Sequence, residues 1–427
     1  MQEKRRIHKA WSMVVGCCLL QGGSLGIIHN CRGIFYDPVI EDLGFGMGAF
    51  SFYILFFGVC SCFVLPFVGK LFRRVDSRIL LGGASLVFSG TVFVMGFFNT
   101  LPAFYIAGAI QGFASAFLMF FPAPFILGNW FHKKAGLAVG ISAAFAGIAG
   151  VVGNPLGNAI IRAFGWRVGF FSFGLISLLM MLPVSVFLLR RSPEDIGCRP
   201  YGAEDDESLT GASCTLDGVP AVRAKKESAF WLLILAGLLA AFTCAFYAHL
   251  SPLGIYFGYG SAVGALMVSA SMAGNVVSKL LLGQIFDRFG LRTALITGTA
   301  VTAVGFLMLL VDSVPVRIAG SFFYGFIMAM SAIMIAITIR DVYGSRDYSD
   351  LLSYSSMAST LGTSVNIAII GYIVDGFGRQ RGYIISLWYG LALTLAMAVL
   401  LHISVRRGRK IAAEYKTGEN AGSLSNN

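Results

Sequence analysis

The sequence predicts an all-α membrane protein, a twelve-transmembrane-helix bundle of two six-helix halves. Three observations carry this: hydropathy, block length and the placement of basic residues. Of 427 residues, 56% are hydrophobic and 12% charged, about half the charged fraction of a soluble domain. Mean hydropathy is +0.77. The apolar residues come in blocks of about 20, the length a helix needs to cross roughly 30 Å of hydrocarbon. A backbone exposed to lipid must satisfy its own hydrogen bonds, so such blocks are helices. Barrel strands would alternate polar and apolar residues, and these blocks do not.

The predicted spans are 10–31, 48–69, 78–98, 102–127, 135–160 and 167–189, then 229–250, 262–284, 292–312, 315–339, 352–374 and 383–404. One long polar stretch, with Glu204-Asp205-Asp206-Glu207, separates the sixth from the seventh. The expected organisation is an N-terminal six-helix half (1–189), a cytoplasmic central loop (190–228), a C-terminal six-helix half (229–405) and a cytoplasmic polar tail (406–427). Arg5 and Arg6 followed by an apolar run resemble a signal peptide. The run continues through Ile28 without an A-x-A-like cleavage site, so it is taken as an uncleaved first helix.

With both termini placed in the cytoplasm, 25 of the 32 Lys and Arg fall on that side. Six fall on the other, and Lys279 lies inside a span. This asymmetry sets the orientation, and the membrane expected is the cell inner (plasma) membrane. It also accounts for the net charge of +11 without a nucleic-acid partner. Eight cysteines include no CxxC pair, so neither a zinc site nor a disulfide framework is indicated. Neither HExxH nor a phosphate loop occurs, which argues against an enzyme, and no cofactor is expected.

The halves echo each other. Gly69-Lys-Leu-Phe-Arg-Arg-Val-Asp-Ser-Arg78 follows the second span and Gly283-Gln-Ile-Phe-Asp-Arg-Phe-Gly-Leu-Arg292 the eighth. Arg162-Ala-Phe-Gly-Trp-Arg167 after the fifth matches Asp375-Gly-Phe-Gly-Arg379 after the eleventh. Parallel six-helix repeats place a binding site near the midplane. The Gly283–Arg292 segment resembles the signature loop of the major facilitator superfamily, which implies a cytoplasmic latch of Gly283, Asp287, Arg288 and Arg292. In the first half Arg73 stands at the family's Asp position, which puts that latch in doubt there.

A narrower resemblance, to the bacterial oxalate/formate antiporter and monocarboxylate transporter branch, rests on four segments. They are Trp130–Gly140, Gly165-Trp-Arg167, Pro193–Gly202 and Asn275-Val-Val-Ser-Lys-Leu-Leu-Leu-Gly283. In the last, Lys279 occupies the position of the branch's substrate-binding arginine. The resemblance further implies roles for His29 or Asn30, where the branch has a functional lysine, and for Phe120 as a pocket aromatic. It also expects a second cation in the eleventh helix for the oxalate type, and none is present there.

An intramembrane lysine costs roughly 2.5–3.5 kcal/mol on insertion scales, so it marks a functional site by default. No acid lies well inside any span to pair it, and the counter-ion expected is a small carboxylate anion. Asn275, one turn earlier, can add a donor, and Ser359 belongs to a polar face with Ser356, Thr360, Thr363 and Ser364. The bland alternative is a lysine whose ammonium snorkels to the cytoplasmic interface, one turn beyond at Gly283. Arg32 is expected at the outer mouth, solvated beside Asp37, Glu41 and Asp42. The expected function is secondary transport of a small monocarboxylate, with proton coupling and exchange both open. The rivals are a dicarboxylate/monocarboxylate antiporter and a non-transporting receptor on the same body.

Overall fold

The structure, a computed structural model, describes residues 9–119, 121–131, 134–198, 200–202, 219–344 and 347–424. Among the described residues, nine helices are long and apolar enough to cross a membrane. Two of these contain two crossings each. Gly136–Leu188 is broken at Gly165 into α5 and α6, and Gly260–Leu310 at Gly290 into α8 and α9. One more crossing, α4, is formed by Leu101–Ser115 and Pro122–Trp130 on either side of residue 120. With α1 (Lys9–Leu43), α2 (Met47–Phe72), α3 (Ser77–Met95), α7 (Ser228–Tyr256), α10 (Val314–Tyr343), α11 (Asp350–Phe377) and α12 (Arg379–Ile411), twelve result. Their flanks carry large apolar side chains that no protein covers, among them Phe63, Ile79, Phe187 and Leu280. In water such a surface would aggregate, whereas in lipid it is the matched surface.

The turns between consecutive helices follow from local sequence. Gly165 (φ 85°), Gly290 (φ 80°) and Gly378 (φ 82°) each follow an exposed phenylalanine and each takes a backbone conformation open almost only to glycine. Where the first half has Asp76 at the place of Gly290, the turn is made differently. Asp76 caps α3, its carboxylate accepting a hydrogen bond from the Arg78 backbone N–H at 2.9 Å. Two repeats thus reach the same turn by different chemistry.

The chain divides into two compact units. One comprises Met1–Ala212 with Ala248–Met272, the other Ser213–Tyr247 with Ala273–Asn427. In the first unit α2 and α4 meet backbone to backbone. A Cβ on Gly108 would lie 2.2 Å from the Tyr53 carbonyl oxygen, and one on Gly112 would lie 2.2 Å from that of Phe57. Gly112→Leu should therefore force these helices apart, with loss of most monodisperse protein on size exclusion. Gly83→Leu, where an added Cβ meets nothing within 4 Å, should leave the profile unchanged. In the second unit a Cβ on Gly274 of α8 would fall on the Phe322 carbonyl of α10, and the Tyr324 hydroxyl donates to the Cys244 carbonyl at 2.7 Å. Ahead of α7, Lys225 pairs with Asp350 at 2.6 Å, and that hydrogen bond holds its ammonium pKa above the ordinary lysine value.

The first helix departs most from expectation. It does not end at residue 31 but continues to Leu43, passing through a π-helical stretch, Gly22–His29, and a 3-10 turn, Arg32–Phe35. Gly23 and Gly26 let this stretch lie against Met181 and Ala149. The change of pitch turns Arg32 inward.

Candidate functional site

Lys279 lies on α8 in the second unit, half-buried, and among the described residues it makes no ion pair. Asn275 is buried one turn away, its Oδ1 without a hydrogen-bond partner. A buried amide oxygen left unpaired is destabilising, so a free cation and an unsatisfied amide sit on one helix face. Immediately before them, the glycine contact with Phe322 locks α8 to α10. That contact fixes the backbone that carries both groups.

Helix α11 offers less than its composition promises. The hydroxyls of Thr360, Thr363 and Ser364 donate to carbonyls one turn earlier, Ser356, Ser359 and Thr360, at 2.9–3.0 Å. Their protons are therefore spent inside the helix. Ser359 is half-buried, and its own hydroxyl makes no hydrogen bond among the described residues.

In the first unit, His29 is half-buried beside the Phe57 ring, centroids 6.0 Å apart. The Asn30 amide donates to the Ala146 carbonyl at 3.3 Å, which makes it a tie between α1 and α5. Phe120 lies outside the described residues, and so does the side chain of Arg73. The latch residues Asp287 and Arg288 are exposed and form no ion pair among the described residues. A Cβ on Gly283 would meet nothing within 4 Å. Arg292 lines a cavity of about 170 Å³ with His402, Arg406 and Arg409.

Three of the segments that carry the narrower resemblance make scaffolding contacts. Trp166 and Arg167 both donate to Asp42 at the end of α1, at 3.0 and 2.7 Å. Trp130 donates to the Arg190 carbonyl at 3.0 Å and accepts from Tyr201 N–H at 2.8 Å. These contacts tie the end of α4 to the segment after α6.

Arg32 is not solvated. It is 4% exposed, with its guanidinium 4.1 Å over the Phe57 ring and Nη2 donating to Gln111 Oε1 at 3.4 Å. No sequence signal marked it, because its burial depends on the pitch change in α1.

A family model described as Major Facilitator Superfamily matches residues 26–266 and 233–423. The chain belongs to the Major Facilitator Superfamily, as a multi-pass membrane transporter with monocarboxylate transporters among its relatives. Monocarboxylate transporter 12 of Xenopus laevis is 24% identical over 411 residues, 88% of this chain and 86% of that protein. The MFS-type transporter pynF of Aspergillus niger is 27% identical over 294 residues, 66% of this chain; the match spans 62% of pynF. Among solved structures, a bacterial homologue of the lysosomal transporter Spinster, inward-facing and unoccupied, shares the fold. It superposes with a TM-score of 0.67 at 14% identity, covering 96% of this chain and 99% of that one.

Proposed function

We propose that this transporter carries a small monocarboxylate, lactate-, pyruvate- or formate-like, by alternating access, with Lys279 holding the carboxylate. The observation that supports it most is Lys279 itself, a cation inside an apolar helix with no counter-ion among the described residues. An ammonium and a carboxylate leaving water together neutralise each other, provided further donors satisfy the oxygens. Asn275 supplies one such donor through its Nδ2 amide and Ser359 another through its hydroxyl. The halves 1–189 and 229–405 are the two bodies that rock, with Asp287, Arg288 and Arg292 on the loop between α8 and α9 at their cytoplasmic side. The monocarboxylate transporters among the relatives support the substrate class.

Counterflow of labelled lactate, pyruvate and formate in proteoliposomes tests the reading. Exchange of at least one is expected, and a screen of carboxylates that moves no label would overturn it. The same assay with and without a pH gradient separates proton symport from exchange. In orientation, both termini and the 190–228 loop are cytoplasmic. Cysteines placed in that loop should stay unlabelled by an impermeant thiol reagent in intact cells and react after permeabilisation.

A further inference from the structure

Arg32 presents a second charge problem, separate from that of Lys279. Its Nη1 is buried with no hydrogen-bond partner, and among the described residues it forms no ion pair. It borders a cavity of about 20 Å³, whose other polar lining is Gln111 and Tyr53 and whose remaining walls include Phe35, Phe170 and Phe173. No carboxylate lines it. The Gln111 amide is held in place from both ends, its oxygen by Arg32 and its nitrogen by the Met95 sulfur at 3.2 Å.

A buried cation without a counter-charge is strongly destabilising, and a buried donor left empty adds to that. Water would satisfy the donor but not the charge. The free volume holds one occupant of about water size, too little for a carboxylate with three or more heavy atoms. A guanidinium is weakly hydrated and suits an anion that is also weakly hydrated. We propose that this cavity is a second anion site, holding a single chloride-sized inorganic anion between Arg32 and the Tyr53 side of the cavity. It goes beyond the monocarboxylate reading and does not depend on it.

Thermal unfolding of the purified full-length chain, in sodium chloride against sodium gluconate at equal ionic strength, tests it. Chloride should raise the melting temperature saturably, by about 2 °C or more, and bromide should do the same. Arg32→Gln should abolish the response and Lys279→Gln should keep it, so this site and the carboxylate site fail separately. Gln111→Leu, which removes the acceptor that orients Arg32, and Tyr53→Phe, which removes a hydroxyl donor, should each raise the half-saturating chloride by about tenfold. These two serve if Arg32→Gln does not fold. Bromide in crystals should give an anomalous peak within hydrogen-bond distance of Arg32. Equal melting in both salts, a response unchanged by these substitutions, or no peak at Arg32 would overturn the proposal and leave the cavity to water.

Discussion

Lys279→Gln should abolish counterflow while leaving expression and the size-exclusion profile near those of the parent. The amide keeps most of the side-chain volume and removes the charge. Breaking one partner of a desolvated charge pair costs about 2–5 kcal/mol, and every 1.4 kcal/mol is tenfold in affinity. Loss of substrate affinity by roughly a hundredfold is therefore the expected outcome. Lys279→Arg should retain partial activity, because the charge survives while the planar fork replaces a point charge. The glutamine variant separates the two readings of this residue. A lysine that snorkels to the interface could be replaced at little cost, so parental transport by Lys279→Gln would assign it to anchoring.

Substrate charge should discriminate almost as strongly. Among the described residues Lys279 has no carboxylate partner, so a monocarboxylate leaves its site near neutral. A dianion would carry one uncompensated negative charge into a low dielectric, a penalty of several kcal/mol. Even about 3 kcal/mol favours monoanions by roughly a hundredfold. Lactate, pyruvate or formate should compete well in counterflow, and oxalate or succinate poorly. The burial of Arg32 sharpens this test, since a cation expected in solvent is in fact inside the protein. Its cavity is too small for a carboxylate, so Arg32 does not balance the dianion. Oxalate competing better than every monocarboxylate would show that a second cation serves the substrate.

The two candidate cations differ in how far each could be read in advance. Lys279 stands out in the sequence because a charge within a 20-residue apolar block has no local explanation. Asn275 is found from it by counting one turn. The aromatic and hydroxyl candidates are less secure for a physical reason. A serine or threonine in a helix can satisfy itself on the preceding turn, as Thr360, Thr363 and Ser364 do. Composition records the hydroxyl but not where its proton goes. Asn30 likewise turns out to be spent on Ala146.

By itself the sequence determined the membrane class and the number and order of the twelve crossings, because hydrocarbon thickness and backbone hydrogen bonding leave a long apolar block one structure. It also determined the Phe-Gly turns, where a conformation at positive φ admits glycine and little else. Tertiary structure alone decided which polar groups are spent and which are free. The Trp166, Arg167, Trp130 and Tyr201 contacts join segments far apart in the chain. Arg32 became interior only because α1, packed by its glycines against α5 and α6, changes pitch before that residue. A few tens of degrees of helical rotation move a side chain from solvent to core, and nothing in the local sequence of α1 fixes that rotation.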